Sequence, residues 1–326
     1  IQVEENISVK KFSDVLNEFK PEIVGFTSNT ICMPRAISMA KEVKKFNKNL
    51  PIVFGGAHPT AMPKETLALK EVDYVVLGEG EETILDLVNT LEKNKDISKV
   101  KGICYKNNNK QYFTEPRLLI ENLDKLPIPA RDLFPMRWYT QACTSIRGCW
   151  LRVATVMSSR GCPNNCIYCA SKIIWGRRFR ARSVKNVVDK VEYLLKNYEI
   201  EAIYFLDDNF CIDKKRVFEI CDEIKKRKLN LVWATSVRTE LMTDEKMIKA
   251  MADAGCIQLA FGVESGSDKI LKVMKKGNKT EDAINAFKIC KKYGIRTLAN
   301  FMLGNPEELM EDIEKSRQLA HDLDAD

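Results

Sequence analysis

Ser159-Arg160-Gly161-Cys162-Pro163-Asn164-Asn165-Cys166-Ile167-Tyr168-Cys169 sets three thiols in a CxxxCxxC spacing directly after an apolar, strand-like stretch. Pro, Gly and Asn between the thiols let one tight loop aim three sulfurs at a common point, and thiolate is the ligand that iron–sulfur clusters take. A cubane of four irons needs four ligands, so a loop offering three leaves one iron open, which points to chemistry rather than electron storage. Other readings compete. A structural zinc site takes paired CxxC or Cys/His sets, and neither His58 nor His321 stands near the loop. A ferredoxin-type site would recruit a distant thiol from Cys143, Cys149, Cys211, Cys221, Cys256 or Cys290, none of which repeats a ligand-like spacing. As for disulfides, the eleven cysteines are scattered through a chain with no visible signal peptide, which favours a reducing, cytoplasmic setting.

The cysteine spacing, with the aromatic Tyr168 directly before the third cysteine, resembles the loop of the radical S-adenosylmethionine (SAM) superfamily. The resemblance implies that Cys162, Cys166 and Cys169 hold a 4Fe-4S cluster and that SAM chelates the open iron through its amino and carboxylate groups. An electron from an external donor such as ferredoxin or flavodoxin would then pass through the cluster and cleave the sulfonium to a 5′-deoxyadenosyl radical. Tyr168 would lie near the adenine; its alternative role is that of a core aromatic beside the loop.

Downstream of the loop the chain repeats strand then helix. Strands are expected at Val153–Met157, Ile203–Leu206, Leu231–Ala234, Gln258–Gly262 and Arg296–Met302, and helices at Val184–Tyr198, Lys214–Lys226, Asp244–Ala254 and Glu281–Tyr293. Ser183 is a natural cap for a helix that carries Val184, Val187, Val188, Val191, Leu194 and Leu195 on one face. Such βα units argue for a parallel barrel or part of one, with its active site at the carboxyl-terminal rim. Polar and glycine residues follow every strand there: the cysteine loop, Asp207-Asp208-Asn209, Ser236 with Arg238, Glu264-Ser265-Gly266, and Gly304-Asn305-Pro306. Singly each reads as a solvated loop or a helix cap; five at one mouth read as a site. The same resemblance places Asp207 and Asp208 at the methionine amino group, Ser236 and Arg238 at the carboxylate or ribose, Glu264 with its neighbour Ser265 at the ribose hydroxyls, and Gly304-Asn305 beside the adenine. The family branch often shows Gly then Glu after the proline of the fifth-strand motif, whereas Pro306 here precedes Glu307-Glu308.

Upstream, residues 1–97 alternate β-type runs with helical ones: a strand over Pro21–Phe26, a helix over Pro34–Phe46, strands at Pro51–Phe54 and Asp73–Leu77, and a helix from Glu81 to Leu91. That order predicts a parallel, doubly wound sheet whose ligands sit beyond the carboxyl ends of the strands. Those ends are Thr27-Ser28-Asn29-Thr30, Gly55-Gly56-Ala57-His58-Pro59 and Gly78-Glu79-Gly80-Glu81, small and polar enough for close backbone approach to a bulky ligand. Phe54 to Thr60 and Val76 to Glu81 resemble the Rossmann-like cobalamin-binding domain that precedes the barrel in one large branch of the superfamily. This implies cobalamin contacts from Ser28, Thr30, Gly55, Gly56, His58, Gly78, Glu79 and Gly80. The wider cobalamin family ligates cobalt with the His of DxHxxG, but His58 is flanked by Gly56 and Ala61 in those places, so it is not that ligand. It turns the loop or meets the corrin.

The expected organisation is α/β: 1–97 as the cobalamin domain, its first strand missing; 98–151 as a connector; and 152–326 as a partial radical SAM barrel lacking its C-terminal part. The connector holds a hairpin, Gly102–Tyr105 against Gln111–Phe113 across Asn107–Asn109, and a proline-stiffened crossing at Leu126–Asp132 expected to fix the distance between two cofactors. A net charge of +7 is spread along the chain and says little of nucleic acid. The run Arg177-Arg178-Phe179-Arg180-Ala181-Arg182 is one short segment, better read as charges held near an anionic cofactor or in solvent than as a nucleic-acid stripe. No stretch approaches the ~20 apolar residues that span a bilayer. The resemblance implies methylation of an unactivated carbon or phosphorus on a small-molecule, lipid or natural-product substrate. SAM would first methylate cobalamin, and a second SAM would supply the radical. Alternatives are an oxidative cyclase or rearrangement enzyme of the same architecture, a non-catalytic corrinoid carrier, and a methylthiotransferase, which lacks a cobalamin domain.

Overall fold

Two units divide the chain, Ile1–Glu121 with Ala170–Gly176 and Asn122–Cys169 with Arg177–Asp326. The computed structural model describes residues 9–108, 110–140 and 146–326, with side chains from residue 12 onward; Asn109 of the hairpin turn and Cys143 lie outside the described residues. In the first unit, α1 (Val9–Phe19), β1 (Val24–Thr27), α2 (Met33–Phe46), β2 (Ile52–Gly55), α3 (Ala57–Ala61), α4 (Pro63–Ala68), β3 (Tyr74–Val76) and α5 (Glu81–Glu92) lead to a hairpin of β4 (Ile103–Asn107) and β5 (Lys110–Phe113). Strands β1, β2 and β3 are parallel in that order, and β4 and β5 extend the sheet antiparallel beyond β3. Successive residues of β2 enter different cores: Ile52 and Phe54 join Ala40 and Val43 of α2, while Val53 joins Leu87 of α5. Both faces are therefore covered, which is why the strands read as near-continuous apolar runs. The expected hairpin forms, pairing Cys104 with Phe113 and Tyr105 with Tyr112. It belongs to this sheet because Ile103, Cys104 and Tyr105 are buried against it.

The second unit begins with α6 (Met136–Tyr139) and β6 (Val153–Val156). The cysteine loop then leaves from β7 (Ser159–Arg160) and returns through β8 (Arg180–Ala181), which pair antiparallel; the helix α7 (Ser171–Trp175) between them packs within the first unit. After α8 (Val184–Asn197) come β9 (Ala202–Phe205), α9 (Lys214–Lys226), β10 (Val232–Arg238), α10 (Glu245–Asp253), β11 (Cys256–Glu264), α11 (Asp268–Val273), α12 (Thr280–Lys292), β12 (Arg296–Phe301) and α13 (Met310–Asp322). β6, β9, β10, β11 and β12 form one parallel sheet in chain order. Alternate residues, among them Phe205, Trp233, Leu259 and Phe261, meet buried positions of α8, α9, α10, α12 and α13 in a single core. Helices packed on one face of a parallel sheet are the arrangement of a (β/α) barrel segment. Each fully buried Phe in that core contributes roughly 1.5–3 kcal/mol. Ser183 caps α8 as expected, accepting a bond from the Asn186 N–H at 3.2 Å.

Two strands run further than their expected ends. β10 continues to Arg238 and β11 to Glu264, so Ser236, Arg238 and Glu264 stand on strands rather than in the loops that follow. The polar residues after Ala234 resemble a loop in sequence, yet they keep the ladder, with Ser236 paired to Ala260 and Arg238 to Gly262.

Candidate functional site

The face of the second sheet turned away from the helical core carries the chemistry. Along β11 the apolar core takes Leu259, Phe261 and Val263, which leaves Ala260, Gly262 and Glu264 on the opposite face. On the neighbouring strands Tyr204 and Ser236 meet hydroxyl to hydroxyl at 2.8 Å.

The cysteine loop is tied to these strand ends by named bonds. Asp207 accepts from the Ser158 backbone N–H at 2.6 Å and from the hydroxyls of Ser158 and Ser159. Asp208 accepts from the Gly161 N–H at 3.0 Å. Burial raises the Asp207 carboxyl above the ordinary range, against the hydrogen bonds of Ser158 and Ser159. Both aspartates thus clamp the entry to the loop. Further along, the Ile167 N–H donates to the Met274 carbonyl at 3.0 Å. Arg238 donates to the Cys166 sulfur at 3.2 Å, and its other nitrogens bond Glu240 and the Lys276 carbonyl. The Tyr168 hydroxyl donates to Glu264 Oε1 at 3.0 Å, and Lys276 Nζ lies 2.9 Å from each. Burial, then the charge of Glu264, keeps the Tyr168 phenol protonated far above its usual pKa.

Of the residues expected at the rim, Cys166, Tyr168, Arg238 and Glu264 are joined directly or through Lys276. Ser265 is fully buried, with its hydroxyl 3.3 Å from that of Ser316 on α13. Gly304 and Asn305 are folded onto Glu308, whose carboxylate accepts from both backbone N–H groups. Sequence reading missed Lys276, Glu240 and Glu308. Lys276 sits in Met274-Lys275-Lys276-Gly277, which looks like exposed charge; only Gly277, at φ +82°, marks the turn.

Three thiols on one loop are the donor type that a 4Fe-4S cluster takes. Cys162, Cys166 and Cys169 are all free, and Asn164 donates to the Cys162 sulfur at 3.3 Å as Arg238 does to Cys166. Among the described residues no three His, Cys, Asp or Glu side chains gather around a single ion. Four of the other thiols, Cys211, Cys221, Cys256 and Cys290, lie in the apolar core, where burial pushes Cys221 and Cys290 up to about 12. Cys149 takes a bond from Arg296 at 3.3 Å. Arg180 and Arg182 of the basic run are buried too, which leaves no continuous charged stripe at that run.

The first unit has a cleft of about 510 Å³ at the carboxyl ends of β1, β2 and β3. Gly55, Gly56, Gly78, Glu79 and Gly80 of the expected set line it, together with apolar Phe26 and Trp175. A Cβ on Gly56, at φ +95°, would stand 2.7 Å from Thr27 Oγ1, so the loop admits only glycine there. Ser28 and Thr30 do not line the cleft; Ser28 is buried, and Thr30 Oγ1 lies 3.1 Å from His58 Nδ1. His58 falls inside α3 rather than in an open loop. Glu79 accepts from the Ile120 N–H at 2.7 Å.

Comparison with known proteins agrees with this layout. Residues 156–320 match the Radical SAM superfamily and residues 1–88 the B12 binding domain. An uncharacterized methyltransferase of Pyrococcus horikoshii is 38% identical over 99% of this chain and 69% of its own length. The anaerobic magnesium-protoporphyrin IX monomethyl ester cyclase of Rubrivivax gelatinosus is 30% identical over 98% of the chain, and the cytidylyl-2-hydroxyethylphosphonate methyltransferase of Streptomyces wedmorensis 30% identical over 90%. The chain spans 58% and 59% of the length of these two. The solved structure of the radical SAM methyltransferase TsrM from Kitasatospora setae, with tryptophan substrate and a SAM analogue, superposes with a TM-score of 0.85 at 18% identity, covering 98% of this chain and 64% of that one.

Proposed function

This chain belongs to the radical SAM superfamily and carries a B12-binding domain ahead of the barrel, and from that premise we propose that it is an enzyme of methyl transfer. When bound, the 4Fe-4S cluster supplies the electron that cleaves SAM, and cobalamin supplies the methyl group for a small-molecule, lipid or natural-product substrate. The observation that carries this reading is the loop itself, three free thiols, two of them already receiving N–H donors. Cys162, Cys166 and Cys169 would hold the cluster. Asp207 and Asp208 fix the entry to the loop, Arg238 braces Cys166, and Glu264 offers a carboxylate to ribose hydroxyls. Tyr168, Ser236, Gly304 and Asn305 are the remaining candidates for SAM; the Ser265 hydroxyl is buried beside that of Ser316. The cleft lined by Gly55, Gly56, Gly78 and Gly80 would take part of the corrinoid, which is larger than about 510 Å³. A low-potential ferredoxin or flavodoxin is the proposed donor.

The test is anaerobic reconstitution with iron, sulfide and cobalamin, followed by SAM labelled in its methyl group and a reductant. Label on the corrin together with 5′-deoxyadenosine supports methyl transfer. A second reading, oxidative cyclisation, is favoured by the 30% identity to the Rubrivivax cyclase. It predicts 5′-deoxyadenosine with no label on the corrin.

A further inference from the structure

Lys276 is 4% exposed, yet its ammonium stands in the second unit's sheet mouth with no water-facing role. Its Nζ donates to Glu264 Oε1 and to Tyr168 Oη, each at 2.9 Å, and the Tyr168 hydroxyl closes the triangle onto the same carboxylate oxygen at 3.0 Å. Its carbonyl receives Arg238, the residue that reaches the Cys166 sulfur. One residue thereby links a cluster thiol, the aromatic between two cluster thiols, and the carboxylate at the end of β11.

The backbone around it is shaped for this pair. Glu264 has φ +70° and Lys275 φ +53°, conformations that non-glycine residues rarely adopt, and Gly277 follows at φ +82°. On β11, a Cβ at Gly262 would stand 2.5 Å from Glu264 Oε1 and 2.7 Å from Lys276 Nζ, so glycine leaves the room that the pair fills. A buried ion pair is a poor source of stability, because desolvation opposes the attraction. Left-handed strain and a missing side chain at the same spot point instead to a geometric task.

We propose that Lys276 is a positioning residue for SAM: it fixes the Glu264 carboxylate through Oε1, leaving Oε2 for the ribose hydroxyls, and holds Tyr168 in the same frame. This rests on the radical SAM reading above. Charge on Lys276 orients Glu264; it does not bind iron, and its backbone contact to Arg238 survives any side-chain change.

The test uses the reconstituted chain and two variants, Lys276→Met and Gly262→Ala. Lys276→Met keeps the apolar stem and removes the ammonium; Gly262→Ala displaces the same pair from the strand side and stands in should the first variant fail to fold. Three quantities are read: iron and sulfide per chain, the dissociation constant for SAM by calorimetry, and the change that SAM causes in the electron paramagnetic resonance spectrum of the reduced cluster. The proposal predicts wild-type iron and sulfide, SAM binding weaker by about tenfold or more, and a diminished spectral change. Full cluster content with SAM affinity within about twofold of wild type overturns it. Iron lost from a variant that melts at the wild-type temperature overturns it as well, by assigning Lys276 to cluster retention. A wild-type protein that loads its cluster but binds no SAM sinks the radical SAM reading itself, and the role of Lys276 with it.

Discussion

Cys166 shows how much one residue's surroundings decide. Its sulfur receives Arg238, its neighbour Ile167 is hydrogen-bonded to Met274, and Tyr168 is locked onto Glu264. Replacing Cys162, Cys166 and Cys169 together by Ala should abolish the cluster absorbance and the iron content while leaving the far-ultraviolet circular dichroism of the apoprotein unchanged. At the other side of Glu264, Gly266 approaches α13 so closely that a Cβ would stand 2.3 Å from the Lys315 carbonyl. Gly266→Ala should destabilise the protein by about 1–3 kcal/mol, read as a lower urea midpoint. The cysteines stood out in the sequence by their spacing, whereas Tyr168, Arg238 and Glu264 did so only through their places beside the loop or after strands and through the family resemblance. Lys276 was not, since a lysine among lysines reads as solvated surface until the fold buries it.

At the scale of the element, the strand ends of β10 and β11 and the start of α13 make the clearest contrast between pattern and structure. Apolar periodicity located five strands and the helices α8, α9, α10 and α12, because each buries one face in a single core. It ended β10 and β11 early, because the barrel's inner face turns polar near the mouth and polar alternation there mimics a loop. The α13 start was invisible for a different reason: its anchor is a polar network. Asp312 accepts from the Ser267 hydroxyl at 2.7 Å, Lys269 at 3.0 Å and the Leu309 N–H at 3.2 Å. The Ser267 bond, then that of Lys269, holds its carboxyl down at about 2, below the ~3.9 of an unfolded chain. The sign follows: this contribution is fully present above about pH 4 and is lost as pH falls from there towards 2. Asp312→Asn should therefore lower the apoprotein's urea midpoint at pH 6 and flatten its fall between pH 4 and 2.5. A variant with the wild-type slope would show that Asp312 contributes nothing to it.

At the scale of the whole molecule, two units each bring the carboxyl ends of parallel strands to a mouth of small or polar residues. The doubly wound unit was legible from its apolar runs and glycine-rich strand ends, whereas the hairpin's place in its sheet was not, because edge pairing is decided by burial on β3. Among the described residues no helix is long and apolar enough to cross a membrane. The glycine cradle predicts separable cofactor sites: Gly56→Val should abolish cobalamin binding, followed by its visible absorbance after gel filtration, with iron content at the wild-type level. Loss of both would mean that the substitution unfolds the chain, and retention of cobalamin would remove the cleft from the account. The most direct test is chemical. The anaerobically reconstituted chain is mixed with SAM and a strong reductant, and 5′-deoxyadenosine is quantified beside the triple cysteine variant. The account predicts product from the wild type alone; a cluster-loaded wild type that yields none, or a triple variant that yields as much, would contradict it.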